Sequence, residues 1–181
     1  MNRVLRRVLL AALAVVAFGA APAWAQKPGQ ADLDKATELQ VTAQSLADLE
    51  QVASELGISG KVLFLGHRLD APEIMSTFDI YCLPSFYEGM PLSIMEAWAA
   101  GKPVIATDVL GIAELVTHGV NGYLVPSDEP RKLADGIMDI VRNDRLREQL
   151  AENGNRFALE QCGIGAMVKR YEALYLKVME R

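Results

Sequence analysis

With 181 residues and two cysteines, the chain is long enough for one core-bearing α/β domain and too short for two. A formal charge of −5 argues against nucleic acid as a partner. No cluster of His, Cys and Asp has metal-ligand spacing, and Cys82 and Cys162, eighty positions apart, read as small buried thiols rather than a disulfide.

Residues 1–25, MNRVLRRVLLAALAVVAFGAAPAWA, set Arg3, Arg6 and Arg7 before an apolar run over 8–21, with Ala23-Trp24-Ala25 ahead of Gln26. This reads as a secretory signal with a small-x-small cleavage site. The run is short for a membrane span of about 20 residues, and an uncleaved anchor is the alternative. Losing the three arginines takes the formal charge from −5 to −8. Residues 26–45 are polar and read as a linker running into helix. Leu46, Leu49, Val52, Ala53 and Leu56 then form a helical stripe that Gly57 ends. Residues 61–65 (KVLFL) read as an apolar strand, with Gly66-His67-Arg68 as the loop at its carboxyl end. A helix over 72–78 and a buried strand over 79–83 follow.

The stretch 83–106, LPSFYEGMPLSIMEAWAAGKPVIA, organises the rest. Pro84 keeps the preceding residue out of helical geometry, Gly89 offers a permissive backbone, and Pro91 is a favoured first helical residue. Leu92, Met95, Ala99 and Ala100 recur near helical spacing until Gly101-Lys102-Pro103 stops the helix, and 104–106 form the next strand. This is a βαβ unit whose loop lies at the carboxyl edge of a parallel sheet, where such sheets bind ligands. The helix opens with amide donors at Leu92 and Ser93, since Pro91 has none, and such a terminus suits a phosphate. Glu88 and Glu96 bracket it. A carboxylate repels phosphate, so this pair fits hydroxyls on either side of one, a ribose and a sugar. The alternative is a solvated loop charge and a helix-surface charge.

Beyond it, 107–116 read as a turn and short helix with Gly111 at the turn, and Asn121-Gly122 as a tight turn into a strand over 123–125. Three amphipathic helices over 130–141, 144–161 and 164–179 close the chain, with Asp144 a plausible cap. Their Leu, Ile, Met and Tyr stripes read as core.

The string PSFYEGMPLSIMEAWAAGKPVIATDVLGIAELVTHGVNGYLVPSDEP resembles the signature segment of family 4 glycosyltransferases, retaining enzymes of the GT-B fold. The likeness covers about 53–181 and follows the family pattern PS-x-x-EG-hydrophobic-P, E-A-x-A-x-G-x-PV, G-G-x-x-E and NG-x-LV. It implies that Glu88 contacts the transferred sugar and Glu96 the ribose of a UDP- or GDP-sugar. The backbone of Gly89, Met90, Leu92 and Ser93 would hold the diphosphate, with no metal and no further cofactor. His67 and Arg68 would lie by the nucleobase, a solvated loop histidine being the alternative for His67. Glu114 matches the family's turn glutamate or sits on a helix surface. Leu110 and Ala113 stand where the family usually has glycine and proline, which bears on how closely this loop approaches a sugar.

The implied fold is a partial Rossmann-like parallel sheet flanked by helices, the donor-binding half of a GT-B enzyme over 46–181. The first two strands of that half, and the basic Arg/Lys pair that neutralises the leaving diphosphate, have no match between Ala25 and Lys61. Strand 61–65 is therefore expected to pair directly with 79–83, because unpaired buried backbone is expensive. Two function classes follow. One is a hexose-transferring glycosyltransferase donor half that needs a separate acceptor-binding subunit. The other is a catalytically inert nucleotide-sugar-binding or interaction module. Residues 1–25 point to export, or to an inner-membrane anchor facing the cytoplasm, whereas sugar nucleotides are cytosolic.

Overall fold

Strands covered on both faces read as unbroken apolar runs, and IYCL and VIAT are two such runs at the centre of this chain. The computed structural model describes residues 7–10, 14–17, 46–66 and 68–180. Its strands are β1 (Arg7–Leu10), β2 (Ala14–Ala17), β3 (Val62–Leu63), β4 (Ile80–Leu83), β5 (Val104–Thr107) and β6 (Tyr123–Val125). They form one sheet in the order β3-β2-β1-β4-β5-β6. β1, β4, β5 and β6 run parallel, while β2 is antiparallel to both β1 and β3. β3 therefore points the same way as β4, and the loops after β3, β4 and β5 leave from one edge. The helices are α1 (Leu46–Glu55), α2 (Ala71–Met75), α3 (Leu92–Ala99), α4 (Leu110–Ala113), α5 (Pro130–Arg142), α6 (Asp144–Phe157) and α7 (Ile164–Met179), with a π turn (Ala158–Cys162) between the last two.

The expected direct pairing of 61–65 with 79–83 is overturned. β1 takes that place, with Val8 opposite Ile80, Leu9 opposite Tyr81 and Leu10 opposite Cys82. β3 is only two residues long and pairs with β2 instead. The physical demand behind the expectation holds, since the backbone of β4 is bonded on both sides. What differs is the supplier. The apolar run read as an export signal is also a good strand sequence, and two pieces of it serve the sheet. The cleavage site expected at 23–26 and the linker expected over 26–45 lie outside the described residues. Among the described residues no helix is long and apolar enough to cross a membrane.

Alternation along β4 and β5 divides the core in two. Tyr81, Leu83, Val104 and Ala106 pack with Ile94, Ala97 and Trp98 of α3, and with Ile112, Val116 and Ala158. Ile80, Cys82 and Ile105 face the other way, onto Ile140 and Val141 of α5 and Leu150 of α6. Trp98 is fully buried and meets Phe157 edge-on at 5.4 Å between ring centroids. Asn155 secures the end of α3 by donating to the carbonyls of Trp98 and Ala99. Both cysteines are free thiols, Cys82 buried and Cys162 half-buried.

The helix α7 departs from expectation. Its stripe of Ile164, Met167, Val168, Tyr171, Leu174, Tyr175 and Val178 was expected in the core, and no residue of α7 is buried. The faces of the sheet are already taken by α3, α5 and α6, so α7 packs on the π turn before it and leaves its apolar stripe bare.

Candidate functional site

The site grows out of β4, whose four residues are all buried and fix where the chain emerges. Pro84 and Ser85 leave the strand, and Thr107, 5% exposed at the end of the neighbouring β5, donates its hydroxyl to the Ser85 carbonyl. Ser85 in turn donates its own hydroxyl to Glu88 Oε1 at 2.7 Å. A third clasp is steric. A Cβ added to Gly111 would fall within 3.0 Å of the carbonyl oxygens of both Glu88 and Gly89. The loop carrying Glu88 is thus held from both sides by β5 and α4, and its carboxylate is half-buried and oriented.

Gly89 behaves differently from the expectation of an unusual backbone. It is not among the residues with positive φ, and a Cβ there would meet nothing within 4 Å. The absent side chain leaves open space beside the loop. Next come exposed Met90 and buried Pro91, which stands before α3 as its cap with φ −77 and ψ 84, rather than as its first helical residue. That non-helical ψ lets the Leu92 amide donate back to the Met90 carbonyl at 2.9 Å, while the Ile94 amide bonds to Pro91 at 3.0 Å. Leu92 is therefore not a free donor, a correction to the pair of amides expected; among the described residues nothing accepts from the Ser93 amide. Ser93 is half-buried and Glu96, one turn further along α3, is exposed. Glu88, Gly89, Met90, Leu92, Ser93 and Glu96 thus lie on one continuous loop and helix start.

Sequence reading missed Thr107, Ser85, Gly111 and Tyr81. Tyr81 lies beneath α3, fully buried, and among the described residues its hydroxyl has no hydrogen-bond partner. Burial pushes the phenol well above its ordinary pKa; Ser93 opposes the shift, and Cys82, Glu96 and Glu88 add to it. No hydrogen bond joins the two hydroxyls in this structure. A buried hydroxyl left unpaired costs about 1–3 kcal/mol.

The β3 loop is built otherwise. Arg68 donates to Asp70 through Nε at 2.7 Å and Nη2 at 2.6 Å, a bidentate pair whose side chains are about half exposed. The pair holds the Asp70 carboxyl below the usual carboxylate range and raises Arg68. His67 lies outside the described residues. Both loops leave the same edge, but β2 and β1 intervene, which separates β3 from β4 by three strand spacings, about 14 Å. On the other flank Leu110 is 75% exposed at the start of α4, and exposed Glu114 caps its end. Among the described residues no group of three or more His, Cys, Asp or Glu is placed to hold a metal ion.

The fold is shared with known proteins. The chain is 34% identical, over 122 residues, to the N,N'-diacetylbacillosaminyl-diphospho-undecaprenol alpha-1,3-N-acetylgalactosaminyltransferase of Campylobacter jejuni, covering 67% of this chain and 32% of that protein. It is 32% identical over 129 residues to the N-acetyl-alpha-D-glucosaminyl L-malate synthase of Bacillus anthracis, covering 71% and 34%. The chain therefore spans about a third of the length of these relatives. Among solved structures, Anabaena HepE in complex with UDP superposes with a TM-score of 0.68 at 30% identity, covering 89% of this chain and 47% of that one. The same protein in complex with UDP-glucose gives 0.68 at 28% over the same shares. The helix-flanked sheet is that of GT-B glycosyltransferases. Its family model, Glycosyl transferases group 1, matches residues 43–157, and the chain belongs to that family.

Proposed function

We propose that this chain is the donor-binding half of a retaining glycosyltransferase, which holds a UDP- or GDP-sugar along the 85–96 loop and helix start. The observation that carries this reading is the clasped Glu88 loop beside open space at Gly89, leading into a helix whose Ser93 amide is unused. The diphosphate sits at that helix start, where the dipole and free amide favour negative charge. Glu88 accepts from hydroxyls of the transferred hexose, and Glu96 from the ribose. HepE's complexes with UDP and UDP-glucose support the choice of ligand.

In this reading, stabilising the departing diphosphate dominates the chemistry, since single well-placed donors are worth about 10²–10³ in rate. Positioning an acceptor supplies up to about 7–11 kcal/mol more, and that half of the enzyme comes from a separate subunit. The bare apolar stripe of α7 supports such a partner. Calorimetric titration of the full chain with UDP, GDP and their hexose conjugates tests the binding. A nucleotide found elsewhere in a crystal soak would overturn it. Purified chain alone is expected to transfer no sugar and at most to hydrolyse donor slowly; robust transfer without a partner would show that the acceptor half is dispensable.

A second reading is the inert nucleotide-sugar-binding or interaction module. It is favoured by Arg68, the described basic residue of the β3 loop, being engaged by Asp70 rather than free for a diphosphate. For location we keep both an exported form and a membrane-anchored form facing the cytoplasm. Only the second meets a cytosolic donor, and fractionation of cells expressing the full chain decides between them.

A further inference from the structure

A tyrosine is an odd choice at position 81. Its ring fills the core beneath α3 against Ile94, Ala97 and Trp98, a task phenylalanine would perform without burying an unpaired hydroxyl. The groups that act on that hydroxyl are Ser93, Glu96 and Glu88, all on the candidate donor site, besides its strand neighbour Cys82. Ser93 is half-buried in the first turn of α3, the helix whose Ile94 and Ala97 pack with the Tyr81 ring.

We propose that Tyr81 is a positioning residue for the donor: its hydroxyl donates to Ser93 Oγ, which turns the Ser93 proton outward to a phosphate oxygen at the start of α3. The inference rests on the donor-site reading given above and adds a residue to it. A serine hydroxyl has one proton and two lone pairs. If Ser93 donates downward to the phenol, its proton is spent inside the protein. If it accepts from Tyr81, the proton is left for the ligand, and the resulting chain of two hydrogen bonds ends on an anion, where each strengthens the other. Binding then closes the contact that is open in the free protein.

The test is a double-mutant cycle on the full chain, with UDP affinity read by calorimetry and thermal stability alongside. Tyr81→Phe is expected to keep or raise Tm, since it removes an orphaned buried hydroxyl, while it weakens UDP binding about three- to tenfold. Ser93→Ala should weaken binding at least as much. On the Ser93→Ala background, Tyr81→Phe should cost nothing further, because the relay is already broken. Unchanged UDP affinity in Tyr81→Phe, or losses that multiply in the double variant, would overturn the proposal while leaving the donor site in place. Failure of the unaltered chain to bind UDP would remove the donor site and this inference together.

Discussion

Two loops leave the same edge of the sheet with candidate ligand residues, and they are built to different standards. The loop after β4 rises from a fully buried strand and is clasped by Thr107, by Ser85 and by the close approach of Gly111. The loop after β3 rises from two residues, one of them more than half exposed, and its arginine is tied to its own neighbour Asp70. A residue that must meet a ligand within a few tenths of an ångström needs its supports locked by packing, and only the first loop has them. Exposed ion pairs of the second kind contribute little and break readily. The difference teaches that the β4 loop is built to hold its side chains in place, while the β3 loop is not.

Gly111→Ala strikes hardest at that difference. The added methyl pushes into the Glu88 and Gly89 carbonyls, so the loop must move, at about 1–3 kcal/mol in stability and more than tenfold in UDP affinity. The matching control is Gly154→Ala, whose Cβ meets the Trp98 ring within 3.0 Å at the other end of α3. It should cost similar stability and leave UDP affinity within about twofold. If both variants lose affinity alike, the loss is global and the clasp has no special role.

Next in size is Glu96→Gln, which keeps the shape but weakens acceptance from two ribose hydroxyls; hydrogen bonds to charged groups are worth about 1.5–3 kcal/mol, so affinity should fall about tenfold or more. An unchanged Kd would return Glu96 to the helix surface. Thr107→Val removes the donor to the Ser85 carbonyl and should cost about 1 kcal/mol of stability with a smaller loss of UDP affinity, read by denaturant unfolding and titration. The smallest effect is expected for Arg68→Ala, less than about threefold in Kd, because the ligand gains from this side chain only what Asp70 gives up. A tenfold loss there would reverse the ranking of the two loops.

Much of this was legible in the sequence, and the exceptions have physical causes. The β4–α3–β5 unit could be read because strands covered on both faces are apolar throughout and the helix between them is bounded by prolines. The strand over 123–125 and the bounds of α7 also matched expectation. The neighbour of β4 could not be read, because hydrophobicity that suits an export signal suits a buried strand equally well. Nor could the state of α7, since a stripe of apolar residues shows which face wants cover but not whether anything covers it. At the site, Glu88 and Glu96 stood out through their wording. Thr107, Gly111 and Tyr81 did not, because each acts through an approach that only the folded chain creates. The Leu92 amide was misjudged because a single ψ at Pro91 decides whether it points outward or back to Met90.

The pairing of β1 makes residues 7–10 part of the middle of the sheet rather than an appendage to it. Without β1, β4 would present a row of unpaired N–H and C=O groups, a template for any extended chain that met it. Whatever draws residues 7–10 away therefore opens a sticky seam at the centre of the fold, and their removal is expected to make the chain prone to associate with copies of itself.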